Sequence, residues 1–468
     1  MKIMKNNGIL KVEEKKLFYT GNRIIEIPDE IVIYRGITVL CGDNGSGKST
    51  FAQILEKGRN FRTNRIIPLC DDYLNIKCIE FNDIHSLPGV TVEYYQQRYE
   101  EAMNEYTPTV KDIFKEKIFS LDFQNLSKDF KLGNVAEKKI NSLSSGELRK
   151  LLIINALLNS PELLILDNPY IGLDKNSRGI MNVFLKKLKD DYKSVMLILQ
   201  DIKDAPEFTD HFIYACNQTI SIQKPDIKNK PYIKFQFKSE NTSLNKEKIC
   251  QLRNCNIRFG KTTILENFNW EILSGDKWLL KGPNGSGKST LLSLLNADNP
   301  KCYCNDIELF GKKRGSGESI WDIKKNIGYT SPEMQLHFHG SGTVLDLVAN
   351  GLNDTVGNYV KPSIEQKQIG EKWLKHFGIS HLRDKYFNNL SSGEKQIVLI
   401  ARSFVKEPQL LILDEPMHAL DPQNREILKK TIMDYVETRV DTSFIMVTHD
   451  PEDFPLDNRK ELNLSKID

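Results

Sequence analysis

The 468-residue chain is too long for one ordinary domain and suits two large ones. Apolar residues make up 40% and charged residues 27%, a balance that supports folded cores and excludes a largely disordered chain. With 65 basic and 62 acidic side chains, the formal net charge is only +3, so a nucleic-acid partner is not expected.

The chain also lacks the sequence signs of membrane insertion and secretion. No window is apolar enough for long enough to span a bilayer, and residues 1–16 are polar and Lys-rich, unlike a secretion signal. Eight scattered cysteines are typical of reduced thiols rather than of a disulfide framework. We therefore expect a cytoplasmic protein, either free or held at the inner face of the cell membrane by a partner.

Four sequence blocks occur twice, in the same order, which predicts two copies of one module. In the first copy the blocks are Tyr19–Glu26, Gly42–Ser49, Leu143–Glu147 and Leu163–Asp167; in the second they are Phe259–Glu266, Gly282–Ser289, Leu390–Glu394 and Leu410–Asp414. The offset is 240 for the first two blocks (282 − 42) and 247 for the last two (414 − 167). The second copy therefore carries a few more residues in its middle.

The apolar pattern between the two copies fades into Gln, Lys, Pro, Asn and Ser, with Pro225 and Pro231 interrupting it. We place a linker there, at residues 217–249. The first domain is then predicted at 1–216 and the second at 250–468.

Within each copy, strand and helix patterns follow one another in an order typical of an α/β fold. Apolar β-runs at Ile37–Cys41 and Trp278–Lys281 each enter a glycine-rich turn and then a helical pattern. A later apolar run ends in Asp167 or Asp414. We expect a mainly parallel sheet in each domain, with a more helical subdomain that carries the Leu-Ser-Ser-Gly-Glu block.

The glycine-rich blocks Gly42–Ser49 and Gly282–Ser289, here called the first and second phosphate loops, have the pattern G-x-x-x-x-G-K-S between a strand and a helix. Backbone N–H groups of such a loop cradle phosphates, Lys48 or Lys288 reaches the β- and γ-phosphates, and Ser49 or Ser289 is a ligand of Mg²⁺. The residues predicted to bind ATP are Gly42, Asp43, Asn44, Gly45, Ser46, Gly47, Lys48, Ser49 and Thr50, with Gly282, Pro283, Asn284, Gly285, Ser286, Gly287, Lys288, Ser289 and Thr290.

Asp167 and Asp414 each end a buried-strand pattern. A lone aspartate at such a position is more often a turn residue. Behind a phosphate loop it is a predicted carboxylate of the Mg²⁺ shell.

The Leu-Ser-Ser-Gly-Glu blocks alone would be read as helix caps. In this order and present twice, they resemble the signature of the ATP-binding-cassette superfamily of P-loop NTPases. The resemblance implies that two such domains pair head to tail, so that each signature contacts ATP held by the other domain. The signature residues are Ser144, Gly146, Ser391 and Gly393.

Tyr19 and Phe259 lie where the resemblance implies an aromatic contact with adenine. Each precedes its loop by the same distance. The alternative is a core aromatic on an edge strand.

The two copies differ in the residues that the resemblance links to hydrolysis. Glu415 stands at the position of the general base and His449 at that of the γ-phosphate sensor, so that Glu415, His449 and Lys288 form the predicted catalytic set. The first copy has Asn168 and Gln200 instead, and an amide cannot accept a proton as a carboxylate does. The resemblance therefore implies one hydrolytic site and one that only holds ATP.

A lid glutamine that the family uses near Mg²⁺ is missing from the second copy, which reads Thr330-Ser331-Pro332-Glu333 there. In the first copy, Gln97 is the predicted lid glutamine and a predicted metal contact. Neither copy has the complete set.

Residues 305–329 closely resemble the bacterial tandem ATPases of the molybdate-transport-associated or photorepair (ModF-like) group. The short, Pro-interrupted linker and the lack of an N-terminal iron–sulfur cysteine cluster are unlike ribosome-acting relatives. Two functions stay open: the energising subunit of a transporter with membrane permease partners, or an ATP-driven switch acting on a macromolecule in DNA repair or at the ribosome.

Two further features of this segment have more than one interpretation. Lys312-Lys313-Arg314 is either a solvated loop or a contact for phosphate or an acidic partner. Trp321 either packs in the core or marks a contact surface.

Overall fold

The structure is a computed structural model, and it describes residues 8–465 apart from 20–22, 58–65, 70–73, 81–106, 134, 141–142, 144, 172, 174, 192, 227–231, 233, 235–246, 260–261, 333, 335–341 and 355–359. The described residues fall into two compact units, one ending at Asp226 and one beginning at Tyr232. Each unit holds one copy of the repeated module. The predicted α/β class with a mainly parallel sheet in each half is confirmed.

The first unit contains strands β1 to β11 and helices α1 to α5 of the described chain. The strands are Gly8–Val12, Lys16–Tyr19, Arg23–Glu26, Ile31–Tyr34, Gly36–Gly42, Ile66–Pro68, Ile76–Glu80, Leu163–Asp167, Ser194–Leu199, His211–Cys216 and Thr219–Ser221. The helices are Lys48–Lys57, Val110–Phe114, Leu121–Asp129, Ser145–Leu157 and Lys175–Asp190.

The main sheet of the first unit has the order β2-β3-β11-β10-β5-β9-β8-β7 among the described strands. The central strands, from β10 to β7, are all parallel. The carboxyl ends of β5, β8 and β7 therefore lie on the same side of the sheet. Every residue of β8 and β9 is buried, which explains their unbroken apolar sequences. A separate antiparallel sheet, β4-β1-β6, was not predicted.

The second unit contains β12 to β20 and α6 to α11 of the described chain. The strands are Lys248–Phe259, Thr262–Leu273, Lys277–Lys281, Asp306–Leu309, Lys312–Lys313, Ile327–Thr330, Leu410–Asp414, Ser443–Val447 and Lys460–Asn463. The helices are Lys288–Leu295, Ile320–Lys324, Val344–Ala349, Ile364–His376, Ser392–Phe404 and Pro422–Thr438.

The second unit repeats the same plan. Its described parallel sheet has the order β17-β18-β19-β14-β20, beside an antiparallel sheet β13-β12-β15-β16. The neighbours β14, β19 and β18 correspond to β5, β9 and β8 of the first unit. The phosphate loop and the strand-end aspartate therefore occupy the same topological positions in both units.

An aromatic cluster holds the helices of the second unit together. Trp373 of α9 and Phe404 of α10 have ring centroids 5.5 Å apart, and Phe404 lies 5.1 Å from Tyr435 of α11. All three side chains are buried. This packing fixes α10, whose first turn belongs to the second Leu-Ser-Ser-Gly-Glu block.

A cavity of about 60 Å³ lies near the end of α10 and is lined by charged side chains. Lys406 contacts Asp354 and donates a hydrogen bond to the Lys324 carbonyl at 2.5 Å. Burial lowers the pKa of Lys406 to about 8, although Asp354 opposes the shift. Burial likewise raises the pKa of Asp354. The two largely buried charges thus stabilise each other.

The predicted linker, 217–249, includes β11, which pairs with β10 in the first unit, and the start of β12 in the second. Tyr232, also in this segment, donates a hydrogen bond to Asp434 of α11 at 2.5 Å. Within the described chain, no helix combines the length and the apolar character needed to cross a membrane.

Candidate active site

The two phosphate loops have matching geometry. Each begins where a central strand ends and leads into a helix, from β5 into α1 and from β14 into α6. The Lys48 ammonium donates to the carbonyls of Gly42 and Asp43 at 2.5 and 2.7 Å. Lys288 makes the same two bonds, at 2.7 and 2.9 Å. Both lysines are buried and therefore held over the loop.

Glycine is required at two points of each loop. A side chain at Gly42 would place Cβ 2.0 Å from the Ala215 carbonyl oxygen, so the neighbouring strand leaves no room for one. Gly47 and Gly287, directly before the helices, have φ of +102° and +91°, a region that side chains rarely adopt. These positions explain why the sequence pattern needs glycine there.

The loops also contain buried hydroxyls suited to a phosphate ligand. Ser46 and Ser286 are 4% and 3% exposed, and their hydroxyls have no hydrogen-bond partner within the part of the chain that the structure describes. Buried polar groups are nearly always paired. A phosphate oxygen accepts hydrogen bonds and would satisfy both hydroxyls, so the loops fit the ATP that was predicted for them.

Ser49 and Asp167, predicted as a metal-binding pair, are in contact. The Ser49 hydroxyl donates to Asp167 Oδ2, and the Asn168 amide donates to Oδ1 at 2.8 Å. Burial raises the pKa of Asp167 to about 6, and the Glu80 charge adds to this, while the Ser49 hydrogen bond opposes it. A hydroxyl beside a buried carboxylate is an oxygen donor set of the kind that Mg²⁺ prefers. The residues therefore fit the ion.

Glu80 is a neighbour of this pair that the sequence analysis missed. It ends β7, and the parallel register pairs it with Asp167 on β8. Gln53 of α1 donates a hydrogen bond to its carboxylate. The sequence signal was weak because Glu80 ends a short strand without a repeated motif. The predicted lid residue Gln97 lies outside the described residues.

Glu415 and its counterpart Asn168 have the same backbone geometry. Glu415 follows Asp414 at the end of β18 with φ of 47° and donates its N–H to Val447 at 2.9 Å. Asn168 has φ of 58° and donates to Ile198 at 3.0 Å. Both backbones thus turn sharply after the aspartate, and the side chain alone differs.

Two histidines flank the Glu415 carboxylate. Nε2 of His449 lies 2.9 Å from Oε1, so these two members of the predicted catalytic set are neighbours, and Nδ1 of His418 lies 2.6 Å from Oε2. Burial would raise the pKa of Glu415, but His418, His449 and Lys288 outweigh burial and lower it to about 2. Glu415 is therefore an ionised carboxylate at neutral pH. The contact with His418 was not predicted.

The corresponding positions of the first unit hold no charged set of this kind. Gln200, the counterpart of His449, is half-buried just after β9. In the second unit, β17 ends at Thr330, and Thr330 and Ser331 are both buried where a lid glutamine was missing from the sequence. Glu333 lies outside the described residues.

The signature blocks form helix starts. Ser391 is the N-cap of α10, and its hydroxyl lies 2.8 Å from the Glu394 carboxylate in a reciprocal capping box. Gly393 is buried in the first turn of α10, and Gly146 lies in the first turn of α4. Ser144 lies outside the described residues. A helix N-terminus favours anions, which is compatible with the predicted contact with phosphate.

The two predicted adenine contacts are partly buried at strand ends. Tyr19 ends β2 and Phe259 ends β12, and each packs against the core of its own unit. The Lys301 ammonium lies 5.0 Å from the Phe259 ring centroid. Their contact with adenine stays a prediction.

Burial decides part of the open interpretations of the 312–321 segment. Trp321 is 55% exposed and therefore lies on the surface. Lys312 and Lys313 are exposed, whereas Arg314 is buried against Glu318 and donates to the Tyr303 hydroxyl at 3.0 Å. Arg314 is thus a structural residue rather than part of a solvated loop.

Two phosphate loops, each with a strand-end aspartate and a signature block at the start of a helix, define a tandem P-loop ATPase. The chain belongs to the ATP-binding-cassette (ABC) family, since the family model described as ABC transporter matches residues 32–171 and again residues 265–418. It is 32% identical to the ABC transporter ATP-binding protein ModF of Escherichia coli over 88% of each chain. The predicted tandem ABC ATPase with likeness to the ModF-like group is confirmed.

Other relatives extend the comparison. An ABC transporter ATP-binding protein of Schizosaccharomyces pombe is 27% identical over 82% of this chain and 83% of its own length. A structure described as a model of ribosome-bound archaeal Pelota and ABCE1 has a TM-score of 0.56 with 21% identity, covering 93% of this chain and 74% of that one. At that identity the structural likeness shows the fold alone.

Proposed function

We propose that this ABC ATPase hydrolyses ATP at the second phosphate loop and mainly holds ATP at the first. The observation that carries the proposal is the Glu415 carboxylate flanked by His418 and His449, where the first unit has the Asn168 amide. A carboxylate accepts a proton from an attacking water, and an amide does not. Phosphate binding through the loops does not depend on this difference.

Each residue of the second loop then has a role. Lys288 binds the phosphates, Glu415 orients the attacking water and takes its proton, and His449 contacts the γ-phosphate. Ser289 and Asp414 would hold Mg²⁺, which neutralises phosphate charge when bound. In the first unit Lys48 binds phosphate, with Ser49, Asp167 and Gln97 as the proposed metal contacts.

We further propose, from the likeness to the family, that the two ATP sites are shared between the domains. Ser144 and Gly146 would serve the ATP at Lys288, and Ser391 and Gly393 the ATP at Lys48. A signature donates hydrogen bonds to the γ-phosphate, where charge develops during hydrolysis. Each ATP site is then incomplete without the other domain.

In the cell, we propose that the chain energises an importer through membrane permease subunits at the cytoplasmic face of the membrane. The similarity to an ABC transporter ATP-binding protein of Escherichia coli supports this assignment. The alternative is an ATP-driven switch that acts on a macromolecule, and it is the competing outcome of the test below.

The test is affinity capture from cells of a Glu415→Gln variant, which retains ATP. A Lys288→Ala variant, which cannot bind ATP at the second loop, is the matched control. We expect permease subunits to be enriched with Glu415→Gln over the control. Enrichment of ribosomal or DNA-repair proteins, without permeases, would instead establish the switch.

A further inference from the structure

We propose that His418 is a positioning residue for ATP hydrolysis, holding the Glu415 carboxylate from the side opposite His449. The inference rests on the proposed function, because it assumes that Glu415 is the base of the hydrolytic site. His418 lies outside the repeated sequence motifs. Comparing Glu415 with Asn168 alone does not reveal its role.

A tight turn carries the His418 ring back to Glu415. The His418 N–H donates to the Glu415 carbonyl at 3.2 Å, with Pro416 and Met417 between them. Proline at the second position of such a turn stiffens the backbone. The positive φ of Glu415 aims its side chain toward the same side, so Nδ1 and Oε2 come within 2.6 Å.

The two histidines approach the carboxylate from different elements. His449 follows β19 and contacts Oε1, whereas His418 lies in the turn and contacts Oε2. Two contacts fix the plane of the carboxylate, while one leaves it able to rotate about its terminal bond. A carboxylate has about four acceptor positions, so two ion-pair contacts leave room for a proton from water. The pair therefore orients Glu415 without blocking it.

The first unit provides an internal comparison. It has the same turn, since the Ile171 N–H donates to the Asn168 carbonyl at 3.3 Å. The turn thus forms without a histidine, and His418 is not needed to build it. Where the glutamate is absent, both histidines are absent too, replaced by Ile171 and Gln200. This joint difference is expected if His418 serves the carboxylate.

Packing does not account for His418 either. Its side chain is 24% exposed and the Glu415 side chain 11%, so the histidine lies at the mouth of the site rather than in the core. Isoleucine at the same position of the first unit shows that an apolar side chain is compatible with the turn.

The first part of the test compares two substitutions. His418→Ile reproduces the first unit and removes the imidazole, whereas His418→Asn keeps a polar nitrogen near the position of Nδ1. We expect His418→Ile to lower kcat by about 10- to 100-fold, the range for a misplaced catalytic group. KM for ATP and the affinity for a fluorescent ATP analogue should stay within about twofold. His418→Asn should recover most of the lost kcat.

Controls separate positioning from folding. His381→Gln removes an exposed histidine of the same unit and should leave turnover and thermal melting unchanged. If His418→Ile melts well below the parent chain, His418→Ala serves as a second removal of the imidazole. Loss of kcat without rescue by asparagine would overturn the proposal.

A double-mutant comparison decides whether His418 acts through Glu415. In a Glu415→Gln background, single-turnover assays should show less than about a twofold further loss from His418→Ile, because the coupled residues act as one unit. An equal loss in both backgrounds would refute positioning. If Glu415→Gln itself leaves turnover intact, the proposed function fails first, and the two failures are thereby distinguished.

Discussion

Asn168 and Glu415 have the same backbone conformation but side chains of different chemistry, an amide and a carboxylate. Both have positive φ directly after a strand-end aspartate, and both donate the backbone N–H to the next strand. Asparagine adopts this left-handed region readily, whereas glutamate does so at a cost of about 1 to 3 kcal/mol. The second unit therefore tolerates backbone strain to keep a carboxylate there, which points to a functional need.

This relationship predicts unequal mutational effects. Glu415→Gln should reduce kcat by about 10² to 10⁴, since the proton acceptor is lost while the phosphate contacts remain. Asn168→Ala should reduce it by less than about threefold, because the amide is not a base. Phosphate release and ATP retention measure the two effects. Equal defects would show that the hydrolytic site has been misassigned.

The signature glycines predict cross-talk between the domains. Gly146→Asp should damage hydrolysis about as badly as Glu415→Gln, because it brings a carboxylate against the phosphate proposed to lie at Lys288. The fold should tolerate the change, since a Cβ at Gly146 meets its nearest neighbour, Leu173, at 3.9 Å. Gly393→Asp should leave more turnover. The reverse ranking, measured by steady-state kinetics, would mean that each signature serves its own domain.

The raised pKa of Asp167 predicts a pH dependence at the first loop. Its folded pKa of about 6 exceeds the usual 3.8, so the ligand-free fold binds this proton more tightly than the unfolded chain. Asp167 therefore favours folding at low pH, and that contribution falls as pH rises from 3.8 to about 6. Binding of Mg²⁺ requires the ionised form, so affinity for ATP with Mg²⁺ should fall below pH 6.

Titration calorimetry on a Lys288→Ala chain, in which only the first loop binds, measures this affinity. We expect about a tenfold loss of affinity per pH unit below the pKa. Asp167→Asn binds more weakly but should lose the pH dependence. A pH-independent affinity in the Lys288→Ala chain would contradict the proposed metal role of Asp167.

The Lys406–Asp354 pair predicts a large effect on stability. Lys406→Ala leaves the largely buried Asp354 without its ion-pair partner, although Arg402 and Lys324 stay nearby, and should lower the free energy of unfolding by about 3 kcal/mol. Lys187, whose side chain is 52% exposed, pairs with Asp129 on the surface. Lys187→Ala should therefore lower the free energy of unfolding by less than about 1 kcal/mol. Urea denaturation followed by fluorescence compares the two variants. Equal costs would show that burial does not strengthen the inner pair.

The sequence allowed the phosphate loops and their aspartates to be predicted because both depend on local patterns that occur twice. Ser49 and Asp167 lie 118 positions apart, yet they meet because one ends a strand and the other opens a helix at the same sheet edge. His418 could not be predicted in the same way. Its contact arises from a turn with positive φ at Glu415, a conformation that glutamate seldom adopts.

Glu80 was missed for a different reason. Its position beside Asp167 depends on the register of two strands that are far apart in sequence, and no local pattern encodes that register. The β4-β1-β6 sheet was not predicted because β1 and β6 pair across a long separation in sequence. Local motifs thus revealed the centre of each unit, and non-local pairing decided its surroundings.

If the first half only holds ATP, as proposed, the set Asn168, Ile171 and Gln200 makes hydrolysis there hard to gain by single substitutions. A single return of glutamate at position 168, which is 6% exposed, would bury a carboxylate without either histidine. Burial would raise its pKa and favour the protonated acid, which is no base. A histidine restored alone would meet only an amide. No single substitution restores the full set, so the proposed asymmetry between the two halves would persist under selection for hydrolysis.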